Sequence, residues 1–163
     1  MIRHVVNLLL WLLPPSRLFS VRRMCLRLAG VDIAADAQVC GRGWIYGRGH
    51  FSVGQGTWLS PGVIVFTHAE VPIEIGARCD IGPNVELITG SHQIGDATRR
   101  AGAGLARPIS IGEGCWIGAG SRILGGVVVG AGTVVAAGAV VVADLPANVL
   151  AAGVPAIVKR LLP

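Results

Sequence analysis

From Val53 onward the chain beats in sixes, and that beat leaves few folds open. Aliphatic residues stand at Val53, Leu59 and Val65, at Ile75, Ile81 and Leu87, and at Ile111, Ile117, Ile123, Val129, Val135 and Val141. The next position is mostly small: Gly54, Ser60, Gly76, Gly82, Gly112, Gly118, Gly130 and Ala136. Three positions further come Thr57, Val63, Cys79, Val85, Ser91, Cys115, Ser121, Val127, Thr133 and Ala139, all small or β-branched. An α-helical face repeats near 3.6 residues and a half-buried strand every two, so neither alone produces six. Short flat strands joined by tight turns do, with the aliphatic and small residues pointing into a narrow core. Three sixes make one triangular coil, and stacked coils bury one another's faces. The expectation is an all-β parallel helix over residues 31–158, a helical segment over 1–30 and a C-terminal tail over 159–163.

Composition agrees and excludes alternatives. A chain of 163 residues suits one domain with its own core. Its 52% hydrophobic content contains only 5% aromatics and comes with 24 glycines, so the apolar mass is aliphatic and disorder is excluded. The net charge of +5 is unevenly spread, since Arg3, Arg17, Arg22, Arg23 and Arg27 all precede the first acid, Asp32. Only Trp11 and Phe19 fall among these cations, which is not the interleaving that a base-stacking surface requires, so nucleic acid is not the expected partner. Cys25, Cys40, Cys79 and Cys115 form no C-x-x-C pair, which gives no zinc or redox motif. Cys79 and Cys115 fall on inward positions of the beat and read as small core residues. Reduced thiols in a cytoplasmic protein are expected.

Val5 to Leu13 is apolar apart from Asn7 and stops at Pro14-Pro15, far short of the roughly 20 residues a spanning helix needs. A signal peptide competes for this run, but no A-x-A-like cleavage site follows before Arg22-Arg23. A second helix is expected with Ser16 as N-cap and Gly30 as its stop; Leu18, Val21, Cys25 and Leu28 share one face. Two roles fit residues 1–30. They form a basic amphipathic surface for anionic lipid headgroups, or they cap the end of the repeat domain or pack between subunits.

The beat fails after Leu87 and returns at Ile111. Residues 93 to 108 hold Asp96, Arg99, Arg100, Gly102, Gly104 and Arg107, with little to fill a core, and read as an extruded loop. His92, in "ITGSHQIG", stands at the last position before that loop, at a coil corner. On position alone, such a histidine is an ordinary solvated residue.

Ile75 to His92, "IGARCDIGPNVELITGSH", resembles the segment of galactoside and maltose O-acetyltransferases that ends in their catalytic histidine. After the loop, "PISIG" from Pro108 and "CWIG" from Cys115 resemble the return to the coil, and "DLPANVLAAGVPAIVKR" from Asp144 resembles the closing coil. The chain is thus similar to the hexapeptide-repeat acyltransferases over roughly residues 50 to 160. "TGSHQIGD" with Arg99-Arg100-Ala101-Gly102 is closer to the acetyltransferases of bacterial surface polysaccharides, including the colanic-acid type.

The resemblance implies a left-handed parallel β-helix, where the general preference for right-handed crossovers argues the opposite. It implies acetyl transfer from acetyl-CoA to a hydroxyl of a sugar, free or lipid-linked, without a metal. His92 is the implied general base, suited because imidazole titrates near the working pH. Trp116 matches a position near the acyl-CoA cleft, and Ala119 and Ala137 match backbone that approaches the pantetheine arm, with Gly138 a candidate beside them for the same small size. Lys159 and Arg160 match cations near the CoA nucleotide. His68, Asn84 and Asp96 are candidates on the acceptor side, though Asn84 also reads as a coil-corner residue. Asp96, Glu86 or a backbone carbonyl could orient His92. Val142-Ala143 and Ile157 depart from the family's pattern, so cofactor contacts there differ. The resemblance also implies a homotrimer with active sites between subunits. Three other readings stay open: a small acceptor such as serine or a xenobiotic alcohol, a β-helical carbonic anhydrase, and a structural β-helix without activity.

Overall fold

The computed structural model describes residues 2–163. Two helices, α1 (Ile2–Leu12) and α2 (Phe19–Leu28), precede a stack of three-strand coils. The first coil is β1 (Asp32–Ile33), β2 (Gln38–Val39) and β3 (Trp44–Tyr46), and the second is β4 (Phe51–Val53), β5 (Trp58–Leu59) and β6 (Ile64–Phe66). The third coil is β7 (Ile73–Ile75), β8 (Asp80–Ile81) and β9 (Glu86–Ile88), after which β10 (Gly90–Ile94) and β11 (Ala101–Ala106) leave the stack. Two more coils follow: β12 (Ile109–Ile111), β13 (Trp116–Ile117) and β14 (Arg122–Leu124), then β15 (Val128–Val129), β16 (Val134–Val135) and β17 (Val140–Val141). Strands β18 (Val149–Ala152) and β19 (Ile157–Leu161) close the chain.

Equivalent strands of successive coils pair in parallel and build three sheets. The first face is β1-β4-β7-β12-β15, the third is β3-β6-β9-β14-β17, and the second is β2-β5-β8-β13-β16, extended by β18 and β19. The prism is a left-handed β-helix. All twelve aliphatic positions of the beat are buried, from Leu59 at 4% exposure to Leu87 and Val141 at 0%. The regular coil begins earlier than Val53, since Ile33, Val39 and Ile45 already keep the six-residue step.

The small residue after each aliphatic one has a steric cause. A Cβ on Gly54 would lie 2.5 Å from the backbone carbon of Gly76, one on Gly76 2.7 Å from the Glu113 nitrogen, and one on Gly112 2.6 Å from the Ala131 nitrogen. Those distances are below van der Waals contact with atoms that cannot rotate away, so coils at the normal strand spacing admit only hydrogen at these three glycines. The next small positions do different work. Thr57 Oγ1, Cys79 Sγ, Cys115 Sγ and Thr133 Oγ1 each donate to a carbonyl of the following coil, those of Gly76, Gly112, Gly130 and Pro146. The two cysteines are therefore rungs of a buried polar ladder, and all four cysteines are free thiols. Of the ten positions in this class, Ser91 alone is exposed. The corresponding buried hydroxyl is Thr89, which donates to the Phe66 carbonyl at 2.7 Å before the chain leaves the coil.

The two helices cover the open end of the first coil, and Val6, Leu10, Leu26 and Ala29 join one core with Ile33, Phe51 and Val65. Ser16 is not the N-cap of α2. The helix starts later, at Phe19, behind Leu18 at φ 59°, and no side chain caps it. Gly30, at φ 75°, does end α2: its N–H donates to Arg27 O and that of Val31 to Leu26 O, a paired bond that needs a left-handed residue. Each helix lends an arginine to the other's carbonyl end. Arg22 donates to Leu10, Leu13 and Pro14 oxygens at 2.8–3.1 Å, and Arg3 to Ala29 and Gly30 oxygens at 2.9–3.0 Å. Both guanidiniums sit where helix dipoles and unpaired carbonyls favour a cation, and burial lowers their pKa from the ordinary value. Arg23 and Arg27 likewise donate to Ala37 and Ile33 carbonyls, so most of the N-terminal arginines serve the cap.

Two further corrections concern the chain's ends and its interruption. Residues 159–163 are not a free tail, because β19 runs to Leu161 and pairs antiparallel with β18. The segment expected as a loop over 93–108 is a β-hairpin that begins at Gly90, with β10 and β11 antiparallel.

Candidate active site

Every chain departure from the coil occurs at one corner, between the third face and the first. Along the other two corners the inward residues keep six-residue steps, but Ile45 to Val53, Val65 to Ile75 and Leu87 to Ile111 take eight, ten and twenty-four. The three insertions stack on successive coils. Each carries a histidine: His50, His68 and His92, three of the four in the chain.

His92 lies on β10 opposite Gly104, not at the coil corner. Its Nδ1 is 3.0 Å from the Gly102 carbonyl oxygen, across a register shift of the hairpin. A carbonyl can only accept, so this bond places the proton on Nδ1 and leaves the Nε2 lone pair available to take another. The orienting group is thus the backbone carbonyl among the three expected. Glu86 is bonded to Arg122 at 2.9 Å on the outer side of the third face. Asp96 sits at the hairpin tip, where Oδ1 accepts from the Thr98 hydroxyl at 2.6 Å, the Thr98 N–H at 2.8 Å and the Arg99 N–H at 3.2 Å. Those bonds hold its carboxyl below the ordinary carboxylate pKa.

An open cleft of about 450 Å³ lies at the hairpin's base, lined by His68, Glu70, Ser91, His92, Leu105 and backbone of Gly90, Gly104 and Ala106. His68 Nδ1 accepts from the Glu70 N–H at 3.4 Å, within the ten-residue step. Glu70 and Leu105 had not been singled out from sequence. The lengthened step from Val65 to Ile75 was the available signal for Glu70. Asn84 lies outside this cleft, at the opposite corner between the second and third faces, with φ 56° where Gly62, Gly120 and Gly138 also have positive φ. Asn84 is thus a corner residue first.

The residues matched to the cofactor form a second group elsewhere. Trp116, 59% exposed, lies on the outer side of the second face, beside a recess of about 360 Å³ shared with Trp58, Ser60, Asp80, Gly82 and Pro83. Ala119, Ala137 and Gly138 are exposed at the adjoining corner, stacked by the bond from Gly138 N to Ala119 O at 2.8 Å. By register Trp116 aligns with Val134, Leu150 and then Arg160, so the row ends in the Lys159-Arg160 pair. Three strand spacings separate Trp116 from Arg160, roughly 14 Å. No residue is shared between this ridge and the His92 cleft. Among the described residues no three His, Cys, Asp or Glu side chains converge as metal ligands.

Residues 108–143 match the profile described as bacterial transferase hexapeptide (six repeats). The chain is 34% identical over 146 residues to the "Putative colanic acid biosynthesis acetyltransferase WcaF" of Escherichia coli (strain K12), covering 90% of this chain and 78% of that protein. It belongs to the hexapeptide-repeat transferase family. Among solved structures, this family member is similar to the hexapeptide-repeat acetyltransferase of Vibrio cholerae complexed with acetyl coenzyme A, with TM-score 0.80 and 27% identity over 99% of this chain and 86% of that one. A galactoside acetyltransferase in complex with coenzyme A gives TM-score 0.81 and 27% identity over 99% of this chain and 81% of that one. The chain spans about half the length of several other curated relatives it matches. No helix among the described residues is long and apolar enough to cross a membrane.

Proposed function

We propose that this hexapeptide-repeat protein transfers the acetyl group of acetyl-CoA to a hydroxyl of a sugar in a bacterial surface polysaccharide or its lipid-linked precursor. The observation that carries the reading is the His92 imidazole, held by the Gly102 carbonyl through Nδ1 and lining an open cleft. An alcohol is a poor nucleophile at neutral pH, so Nε2 takes its proton as the oxygen attacks the thioester carbonyl directly. The tetrahedral intermediate collapses with loss of the CoA thiolate, and the imidazolium returns the proton to sulfur. His68 and Glu70, on the same cleft, are placed to contact the acceptor. Similarity to WcaF supports a polysaccharide acceptor.

Trp116, Ala119, Ala137 and Gly138 would bind the acyl-pantetheine arm, where small side chains allow close approach, and Lys159 and Arg160 the phosphates. Because the ridge and the His92 corner are separate on one chain, the reading requires a homotrimer in which one subunit's histidine meets its neighbour's ridge. We place the enzyme in the cytoplasm, where a lipid-linked acceptor is met at the inner face of the membrane.

The test is release of free CoA thiol from acetyl-CoA across a panel of sugar and lipid-linked acceptors. His92→Ala, an exposed position, is expected to lower turnover by about 10²–10⁴-fold with the fold unchanged. Turnover that survives the substitution removes the base assignment, and no turnover with any acceptor removes the activity.

A further inference from the structure

Helix α1 buries two polar residues and turns most of its large apolar ones outward. Its buried positions are Arg3, Val6, Asn7 and Leu10, while Ile2, Val5, Leu8, Leu9, Trp11 and Leu12 are 48–76% exposed. An ordinary surface helix is arranged the other way. The inward half of this inversion has a local cause: the Asn7 amide donates to Ile45 O at 2.9 Å and accepts from Ile45 N at 3.2 Å, closing the open edge of β3. Arg3 likewise donates to the Gly49 carbonyl at 2.9 Å. Nothing in the packing calls for six large apolar side chains on the opposite side. Helix α2 repeats the pattern, burying Arg22 and Leu26 while Leu18, Val21, Met24 and Leu28 stay exposed. A contiguous apolar face of this kind marks a contact surface.

The charges around it say which. No acid occurs before Asp32. Arg17, Arg42 and Arg48 are exposed without a carboxylate partner among the described residues, and the Arg42 guanidinium lies 4.7 Å above the Trp11 ring. An open cleft of about 610 Å³ beside α1, edged by Ile2, His4, Trp44, Tyr46 and Arg48, has no acidic side chain in its lining. Apolar side chains flanked by tryptophan and arginine suit the boundary between acyl chains and anionic headgroups. A second copy on the same face would bring its arginines against these.

We propose that the outward face of α1 seats this protein on an anionic lipid surface, with Arg17, Arg42 and Arg48 among the headgroups. The eleven-residue helix lies in the interface and does not span it. A consequence, which rests on the acetyl-transfer reading, is access to a lipid-linked acceptor. The ladder β3-β6-β9 puts the root of the His92 hairpin only two strand spacings, about 10 Å, from the membrane-facing coil. Exposed Tyr46 and Phe66 lie along that path, stacked at 4.8 Å between centroids.

The test floats the full chain with vesicles of phosphatidylcholine and phosphatidylglycerol at three to one, and with phosphatidylcholine alone. Light scattering without lipid reports the assembly's mass. Wild type is expected to float with the anionic vesicles, less as salt rises. Leu9→Glu/Leu12→Glu is expected to lower the bound fraction at least ten-fold at unchanged mass. Arg42→Glu/Arg48→Glu should remove the preference for anionic lipid. Failure of wild type to float, or flotation unaffected by the Leu9→Glu/Leu12→Glu pair, overturns the proposal. So does a smaller assembly for that pair, which would make the face a subunit contact. Loss of acetyl transfer with flotation intact counts against the enzyme reading alone.

Discussion

Two corners of the prism and the third corner are made from the same repeat under opposite constraints. At the first two, each turn is four residues long, and where glycine opens the turn, as at Gly54, Gly76, Gly112 and Gly130, a backbone atom of the next coil occupies the space a Cβ would need. At the third, the first three turns lengthen and the hairpin departs; within the stack Gly47, Gly49 and Gly125 stay as tight, but Gly90 and Gly104 on the hairpin have nothing within 4 Å of an added Cβ. The stack therefore holds its geometry at two corners and leaves one free to carry chemistry, which is how a loop on a rigid scaffold gains both precision and freedom to vary.

The largest effect expected from this division is on activity, and it separates the His92 corner from the Trp116 ridge. His92→Ala removes the proposed base, and Ala137→Trp fills the ridge where the acyl arm would pass. Each variant alone should lose about 10²-fold or more. If the two groups meet only across a subunit boundary, trimers assembled from both variants in equal amounts regain intact sites at about one quarter of wild-type turnover. Mixed assemblies that stay inactive while each variant remains folded would place both groups in one chain's site and break the comparison.

Stability should show the same division. Gly76→Val drives a branched side chain into the Glu113 backbone 2.7 Å away, which can be relieved only by parting two coils. About 3 kcal/mol or more is expected, read as a lowered denaturation midpoint or as insoluble protein. Gly104→Ala at the third corner should change stability by less than about 0.5 kcal/mol. Comparable losses for both would mean the hairpin is as tightly packed as the coil.

The beat made the fold readable because it repeats one steric demand at every coil, so Leu87 or Ile123 could be placed inward with no knowledge of its neighbours. Ser91 shows where that reasoning ends. It occupies an inward position by count and is exposed in fact, since Thr89 supplies the last buried hydroxyl and the chain turns out at Gly90. The N-terminal helices were legible as helices but not by face. Leu18, Val21 and Leu28 line up as an apolar stripe, and the rule that such a stripe packs inward fails because the inward side offers bare carbonyls, those of Leu10 and Pro14 at the end of α1 and of Gly49 in the coil, which Arg22 and Arg3 satisfy better than leucine does. His92 stood out as a candidate through its resemblance to a known segment. Its partner did not, because a backbone carbonyl at Gly102 leaves no mark on side-chain identity, whereas the conspicuous carboxylates Glu86 and Asp96 are engaged elsewhere.

Asp96 supplies the smallest effect and the finest test of the third corner's independence. Its carboxyl is fully exposed and is held below its ordinary pKa by the Thr98 hydroxyl and by the N–H groups of Thr98 and Arg99. A carboxyl lowered in the folded state adds its stabilisation fully above the unfolded-state value and loses it as pH falls through the folded one. The tip at residues 96–99 should therefore be ordered from neutral pH down to the ordinary aspartate range and loosen below it. Hydrogen exchange at the Thr98 and Arg99 amides should quicken there after correction for intrinsic rates, while Leu87 and Ile123 in the coil stay protected. Asp96→Asn should give the looser tip at all pH values with the coil unchanged. If the coil amides loosened together with the tip, the hairpin and the prism would be one cooperative unit, and the third corner would not be free of the other two.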